Sequence, residues 1–314
     1  MTLSNLGLYG PQSVTWRLHA DPVLAVGGLR ALFLQALHPV AMAGVEAHSG
    51  FSSDPWGRLT RTAEYIGVTT YGTSEDAGRA AARVRAVHRR LTATDPATGR
   101  EVPVDDPQLL LWVHCCEVDS FLRTAQRAGV WLPRRAADQY VGEQVRSARL
   151  VGLDPLRDGV PWDTESLDAY FERVRPELSA GPAAYRAARF LVAPPMPWWV
   201  RLTTPAMASW AGVASLAFSL LPPWARSMYS RLPSIPTTDL GATVTLRALR
   251  AGLLALPAAA REGPQYRAAK ARVAATPVRR LEAIRGSAEP WGYHDVGPVA
   301  RQPHADPDAQ LSGA

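Results

Sequence analysis

The stretch Ser74-Glu-Asp-Ala-Gly-Arg-Ala-Ala-Ala-Arg-Val-Arg-Ala-Val-His-Arg-Arg-Leu91 is the clearest amphipathic helix in the chain. Ser74 is placed to cap it, and Glu75 and Asp76 suit the positive end of a helix dipole. Ala77, Ala81, Val84, His88 and Leu91 then fall on one stripe at helical spacing. His88 is the odd member of that stripe, because an imidazole is costly to bury without a partner.

Working outward, the same periodicity recurs on both sides. Leu29–Leu37 is apolar apart from Arg30 and Gln35, with Gly27-Gly28 before it and Pro39 after His38, which predicts a mostly buried helix ended near His38. Asp106-Pro107 supplies a cap and a first turn for a helix running to about Arg127, with Gly129 beyond. Further helices are expected over 134–150, 164–175, 182–191 and 241–256. Alternating β-branched runs are scarce, so the fold class is all-α, a helical bundle.

Composition narrows the function. The chain has 314 residues, 47% of them hydrophobic, enough for one large core. Its net charge of +6 comes almost wholly from arginine, since Lys270 is the one lysine. The arginines stand singly or in pairs among acids, and no basic run with spaced aromatics occurs, which argues against a nucleic-acid surface. Cys115 and Cys116 are adjacent, a geometry that disfavours their pairing, and no CxxC pattern is present. Met1–Gly10 lacks the basic-then-apolar pattern of a signal peptide, so a cytoplasmic, reducing location is the expectation. Leu202–Ala225 is uncharged, but Pro205, Pro222 and Pro223 interrupt it, which favours a buried helix or peripheral membrane contact over a span. A single domain is expected over 1–285, with a polar, disordered tail over 286–314.

Five of the seven histidines precede residue 115, at 19, 38, 48, 88 and 114. His19 reads as a loop or surface group. His38 is expected to donate to a carbonyl at the helix end, His48 to pair with Ser49, and His114 to make a structural hydrogen bond or approach the same pocket as His88. His88 has arginines at 83, 85, 89 and 90 around it. A haem needs one axial nitrogen donor from a helix and cations near its propionates, which this pattern offers. For an isolated histidine, a core group bonded to a carbonyl is the commoner reading. The spacing for a two-histidine, one-carboxylate metal site is absent, as are H-E-x-x-H, G-x-S-x-G, P-loop and dinucleotide fingerprints.

Several local patterns follow one another in order. They are Gly28-Leu-Arg-Ala-Leu-Phe-Leu-Gln-Ala-Leu-His38-Pro39, Gly44-Val-Glu-Ala-His48-Ser49, Arg58-Leu-Thr-Arg61-Thr62 with Tyr65, Tyr71-Gly72, Val84-Arg-Ala-Val-His88, and Asp106-Pro107 leading to Trp112-Val-His114. This succession resembles the catalytic domain shared by latex-clearing proteins (rubber oxygenases) and MpaB-type oxygenases. Leu221-Pro-Pro-Trp-Ala-Arg226 with Tyr229 is similar to a later feature of that family. The resemblance implies a distantly globin-like helical core around haem b, over about residues 15–130, and iron–oxygen chemistry on alkene bonds. By that resemblance His88 is the axial ligand of the haem iron, and Arg58 and Thr62 help to shape the haem pocket. Arg61 stands where latex-clearing proteins carry a lysine, and because arginine stays charged its expected role is electrostatic. Glu46 stands about where a catalytic base would lie, and equally reads as a helix-surface glutamate. The implied partners are dioxygen and a small hydrophobic, unsaturated substrate. The alternative is a helical haem- or lipid-binding protein without turnover.

Overall fold

The computed structural model describes residues 6–48, 54–230 and 239–276. Residues 1–277 make up one compact unit; a second, 278–314, lies outside the described residues, and with it the expected tail and the boundary at 285.

Helices carry the described chain. They are α1 (Val14–His19), α2 (Leu24–Gln35), α3 (Pro39–His48), α4 (Pro55–Tyr71), α5 (Ser74–His88), α6 (Pro107–Arg127), α7 (Arg134–Val151) and α8 (Thr164–Val174). After these come α9 (Pro182–Val192), α10 (Trp198–Thr203), α11 (Ala206–Ser219), α12 (Pro223–Met228), α13 (Asp239–Ala255), α14 (Ala258–Arg261) and α15 (Pro264–Ala274). The fold is all-α apart from a short antiparallel hairpin, β1 (Thr92–Thr94) with β2 (Glu101–Pro103), inserted between α5 and α6. The turn of that hairpin holds Asp95-Pro96 and Gly99, the latter at φ +69°, a conformation that glycine adopts without steric cost.

Local chemistry explains where the helices begin. Asp106 accepts from the Gln108 amide at 2.8 Å, and Pro107 occupies the first turn of α6. Asp54 and Pro55 repeat the device on α4. The cap of α5 is Thr73 rather than Ser74. Thr73 and Asp76 form a reciprocal capping box there, because the longer reach of Asp76 satisfies the Thr73 amide. Helix α2 begins five residues earlier than the apolar run predicts. Gly27 is inside it, where a Cβ would come within 3.1 Å of the Phe121 ring and 3.3 Å of the Ser120 carbonyl.

That close approach lets α2 and α6 form the central packed pair. Phe33, Leu34 and Leu37 meet Leu111, Trp112, Cys115 and Leu122, all buried in one core. Each such side chain contributes about 1.5–3 kcal/mol of burial. The one charge inside α2, Arg30, is 3% exposed and is held by Asp119 at 2.8 Å, the Ser120 hydroxyl at 2.7 Å and the Leu220 carbonyl at 3.0 Å. The uncharged stretch 202–225 is divided among α10, α11 and α12, and α11 packs on α2, α9 and α13. No single described helix is long and apolar enough to cross a membrane; α2 and α3 pass together by composition but are bent by 106°.

Candidate functional site

Helices α4 and α5 form a hairpin closed by Tyr71-Gly72. The Tyr71 hydroxyl donates to the Trp16 carbonyl at 3.0 Å, and its ring meets both Trp16 and Tyr266 at 5.0 Å. Gly72 is tight: a Cβ there would fall 2.5 Å from the Val68 carbonyl oxygen. The hairpin is thereby docked on α1, α7 and α15.

The apolar stripe of α5 is covered at its start and open at its end. Ala77 and Ala81 are buried, whereas Val84, His88 and Leu91 are only half-buried and Val87 is 56% exposed. Arg85, between them, fastens this end by donating to the Leu150 carbonyl at the end of α7. His88 is the last residue of α5, and its ring makes no hydrogen bond among the described residues. Burial lowers its pKa, against the charge of Asp105, so the imidazole is neutral with a nitrogen lone pair available.

On α4, Arg58 is half-buried, and its pKa is lowered by burial and then by the charge of Arg61. Two turns on, Tyr65 is half-buried, and its hydroxyl makes no hydrogen bond among the described residues. Burial and the charge of Glu117 push its pKa up to about 12, against Arg85. Arg61 and Thr62 are exposed and engaged locally, Arg61 with Asp54 at 3.0 Å and Thr62 with the Arg58 carbonyl at 3.0 Å. Glu46, on α3, forms an exposed ion pair with Arg186 at 2.6 Å. Thus Arg58 lies on the inner side of α4, while Arg61, Thr62 and Glu46 reach solvent.

Helix α6 brings two groups that the sequence patterns did not single out together. His114 is buried and Glu117 half-buried, one turn apart, and neither makes a side-chain hydrogen bond among the described residues. Burial drives the His114 pKa down to about 4, so it is neutral, and pushes Glu117 up to about 7. Glu117 is desolvated by its surroundings yet keeps some accessible surface. Its charge reaches Tyr65, as does that of Arg85, so groups from α4, α5 and α6 lie within electrostatic range of one another. The hydrogen bond expected of His114 is therefore not made among the described residues. The signal for Glu117 was its i, i+3 spacing from His114, away from the Leu111, Cys115, Val118 and Leu122 stripe.

The remaining histidines among the described residues, His19, His38 and His48, make local hydrogen bonds. His19 is not a surface group: it bridges Thr70 at 3.0 Å and Tyr140 at 3.1 Å, stacks edge-on against Phe121, and burial lowers its pKa to about 3. His38 accepts from the Ala41 amide at 3.3 Å instead of donating to a carbonyl, and so caps α3. His48 is exposed and bonds the Thr92 carbonyl at 2.5 Å, while Ser49 lies outside the described residues. Among the described residues no group of three or more His, Cys, Asp or Glu is arranged to hold a metal ion.

A cleft of about 720 Å³ opens on a different face of α6, lined by Arg30, Asp119, Arg123, Arg127, Trp224 and Arg226 among others. Its charges are paired within it: Arg127 and Arg226 both hold Asp239, at 3.3 and 3.1 Å, and Arg123 holds Asp119 and Asp168. It lies apart from His88.

The model of the family described as ER-bound oxygenase mpaB/B′/rubber oxygenase, catalytic domain, matches residues 16–255. The chain belongs to this family. The match takes in α4, α5 and α6 whole, and ends at the last residue of α13. As a member of this oxygenase family the chain is an enzyme domain for a small-molecule substrate and dioxygen. No curated protein and no solved structure matches it.

Proposed function

We propose that this oxygenase-family protein is haem b-dependent and acts with dioxygen on a hydrophobic unsaturated substrate, with His88 as the axial ligand. The observation that carries the reading is the His88 ring, neutral and without a hydrogen bond among the described residues, at the open end of the α5 stripe. A porphyrin-held iron asks one nitrogen of the protein, and a lone accessible imidazole fits that demand better than it fits a protein-only metal centre. Arg58 is the cation positioned for a propionate, and Thr62 and Arg61, one turn further along α4, stand at the outer edge. Haem, when bound, supplies the iron at which dioxygen is activated.

The chain's own part is binding, orientation and proton handling. Val84 and Leu91 offer apolar surface for a porphyrin or a hydrocarbon. Tyr65 holds its proton and serves as a hydrogen-bond donor. Glu117, half-ionised near neutrality, is poised to accept a proton from a substrate carbon or return one to an oxygen. It is better placed for that role than Glu46, which Arg186 occupies.

A second reading, a haem or lipid carrier without turnover, draws on the arginine at 61 in place of the family's lysine. Aerobic incubation of the haem-loaded protein with unsaturated lipids separates the two. Carbonyl products that disappear in His88→Ala and fall at least about tenfold in Glu117→Gln are expected. Haem uptake without any oxidised product favours the carrier.

A further inference from the structure

The cleft of about 720 Å³ beside α6 combines an apolar floor with a cationic wall. Phe171, Leu220 and Leu221, all buried, line it together with the half-buried Trp224. The Trp224 ring is held in place by the Arg175 guanidinium, 5.0 Å from its centroid, and by the Phe171 ring at 6.2 Å. Small-molecule sites typically occupy roughly 300–1,000 Å³, and this cleft is of that size.

Arginines and acids are equal in number around the cleft, but they do not lie at the same depth. The Arg30, Arg127 and Arg226 side chains are 3%, 24% and 24% exposed, whereas those of Asp168, Glu172 and Asp239 are at least 60% exposed. The arginines therefore form the wall and these three acids the rim. The remaining acid, Asp119, is buried and shared by Arg30 and Arg123.

One anion position stands between two of these guanidiniums. The Oδ1 atom of Asp239 lies 3.3 Å from Arg127 and 3.1 Å from Arg226. Both cations are also fixed by other partners: Arg127 donates to the Thr243 hydroxyl at 3.0 Å, and Arg226 to the Ser219 carbonyl at 3.1 Å. Although Asp239 is exposed, the hydrogen bond from Arg226 and the charges of Arg226 and Arg127 hold its carboxyl below the usual range. A single carboxylate thus faces two half-buried cations, which leaves one positive charge over. Among the described residues Arg127 Nη1, Arg226 Nε and Nη2, and the Gln126 side-chain amide make no hydrogen bond. Donors therefore remain for a second carboxylate in the same place.

We infer that this cleft is a ligand site separate from His88, and that it takes a monocarboxylate with an apolar body. The ligand carboxylate is received by Arg127 and Arg226, and its hydrocarbon lies on Trp224, Phe171 and Leu221. Asp239 holds the anion position when the site is empty and yields it to the ligand, so it competes with the ligand for the same two guanidiniums. Because those guanidiniums are already oriented by Thr243 and Ser219, little ordering is left for the ligand to impose. The site does not depend on the proposed haem chemistry.

Isothermal titration calorimetry of the full chain with decanoate tests this, with acetate and decanol as comparisons. Decanoate is expected to bind at a single site and to be weakened by salt, and acetate and decanol to bind at least about tenfold more weakly, one lacking the apolar body and the other the charge. Arg127→Gln weakens decanoate at least about tenfold, whereas Asp239→Asn tightens it at least about threefold by removing the internal competitor. These opposite signs separate a binding role from a structural one, and the exposed Asp239 carries the test even where the arginine variant fails to fold. His88→Ala binds decanoate as the wild type does. Absence of decanoate binding overturns the proposal, as does equal or weaker binding by Asp239→Asn. Loss of binding in His88→Ala overturns it too, because the ligand then belongs to the His88 site. A colourless protein that binds decanoate in the predicted order keeps this site and removes the haem reading alone.

Discussion

Glu117 is a carboxyl whose surroundings disfavour its charge, and this has a measurable sign. With its folded pKa raised to about 7, the native protein keeps a proton that the unfolded chain has already lost. Stability associated with this group is full below the ordinary carboxyl range and is lost as pH rises toward about 7. Glu117→Gln removes that penalty. The variant is expected to match wild type at about pH 4 and to exceed it by up to about 3 kcal/mol at about pH 8, an upper bound because some solvent reaches the group. Urea unfolding at both pH values reads this directly, and a difference independent of pH contradicts it. At this scale the unusual place of His88, an imidazole on an apolar stripe at the end of a helix, was visible in the sequence. Glu117 was not, because a single glutamate in a helix looks solvated until the element that covers it is known.

Elements are held at their ends by groups remote in sequence. The clearest case is Glu143 on α7, a buried carboxylate that accepts from the amides of Val14 and Thr15 at 3.1 and 2.8 Å and from the Thr15 hydroxyl at 2.7 Å. It supplies α1, a helix too short to persist alone, with partners for its free N–H groups and a charge of the favoured sign. Glu143→Ala is expected to cost about 3 kcal/mol in urea unfolding, with those donors left buried. A loss under about 0.5 kcal/mol shows that water replaces the carboxylate. The buried pair of Arg30 and Asp119 predicts a similar asymmetry. Asp119→Ala strands a buried guanidinium and costs about 3–5 kcal/mol by the same measurement. Helices with strong periodicity, α5 to α9, were readable to within a few residues. Helices α1, α3 and α4 and the β1–β2 hairpin were not singled out, since α1 depends on a contact 129 residues away and the hairpin turns on a few residues around Pro96 and Gly99.

For the whole molecule, the all-α architecture was legible in helical periodicity and the family in the order of motifs, whereas the mutual approach of Tyr65, Arg85 and Glu117 was not, because it depends on how α4, α5 and α6 pack. The uncharged stretch 202–225 shows the same limit. Its composition suits a span or a core helix equally, and only the breaks at proline and the packing of α11 on α2 decide between them. The central claim is that His88 holds a haem. The direct measurement is the visible absorption spectrum of the purified protein after haem reconstitution, beside that of His88→Ala with matching circular dichroism. A Soret band in the wild type that is lost or displaced in the variant is predicted. A well-folded wild-type protein that stays colourless, or a variant whose spectrum is unchanged, contradicts it.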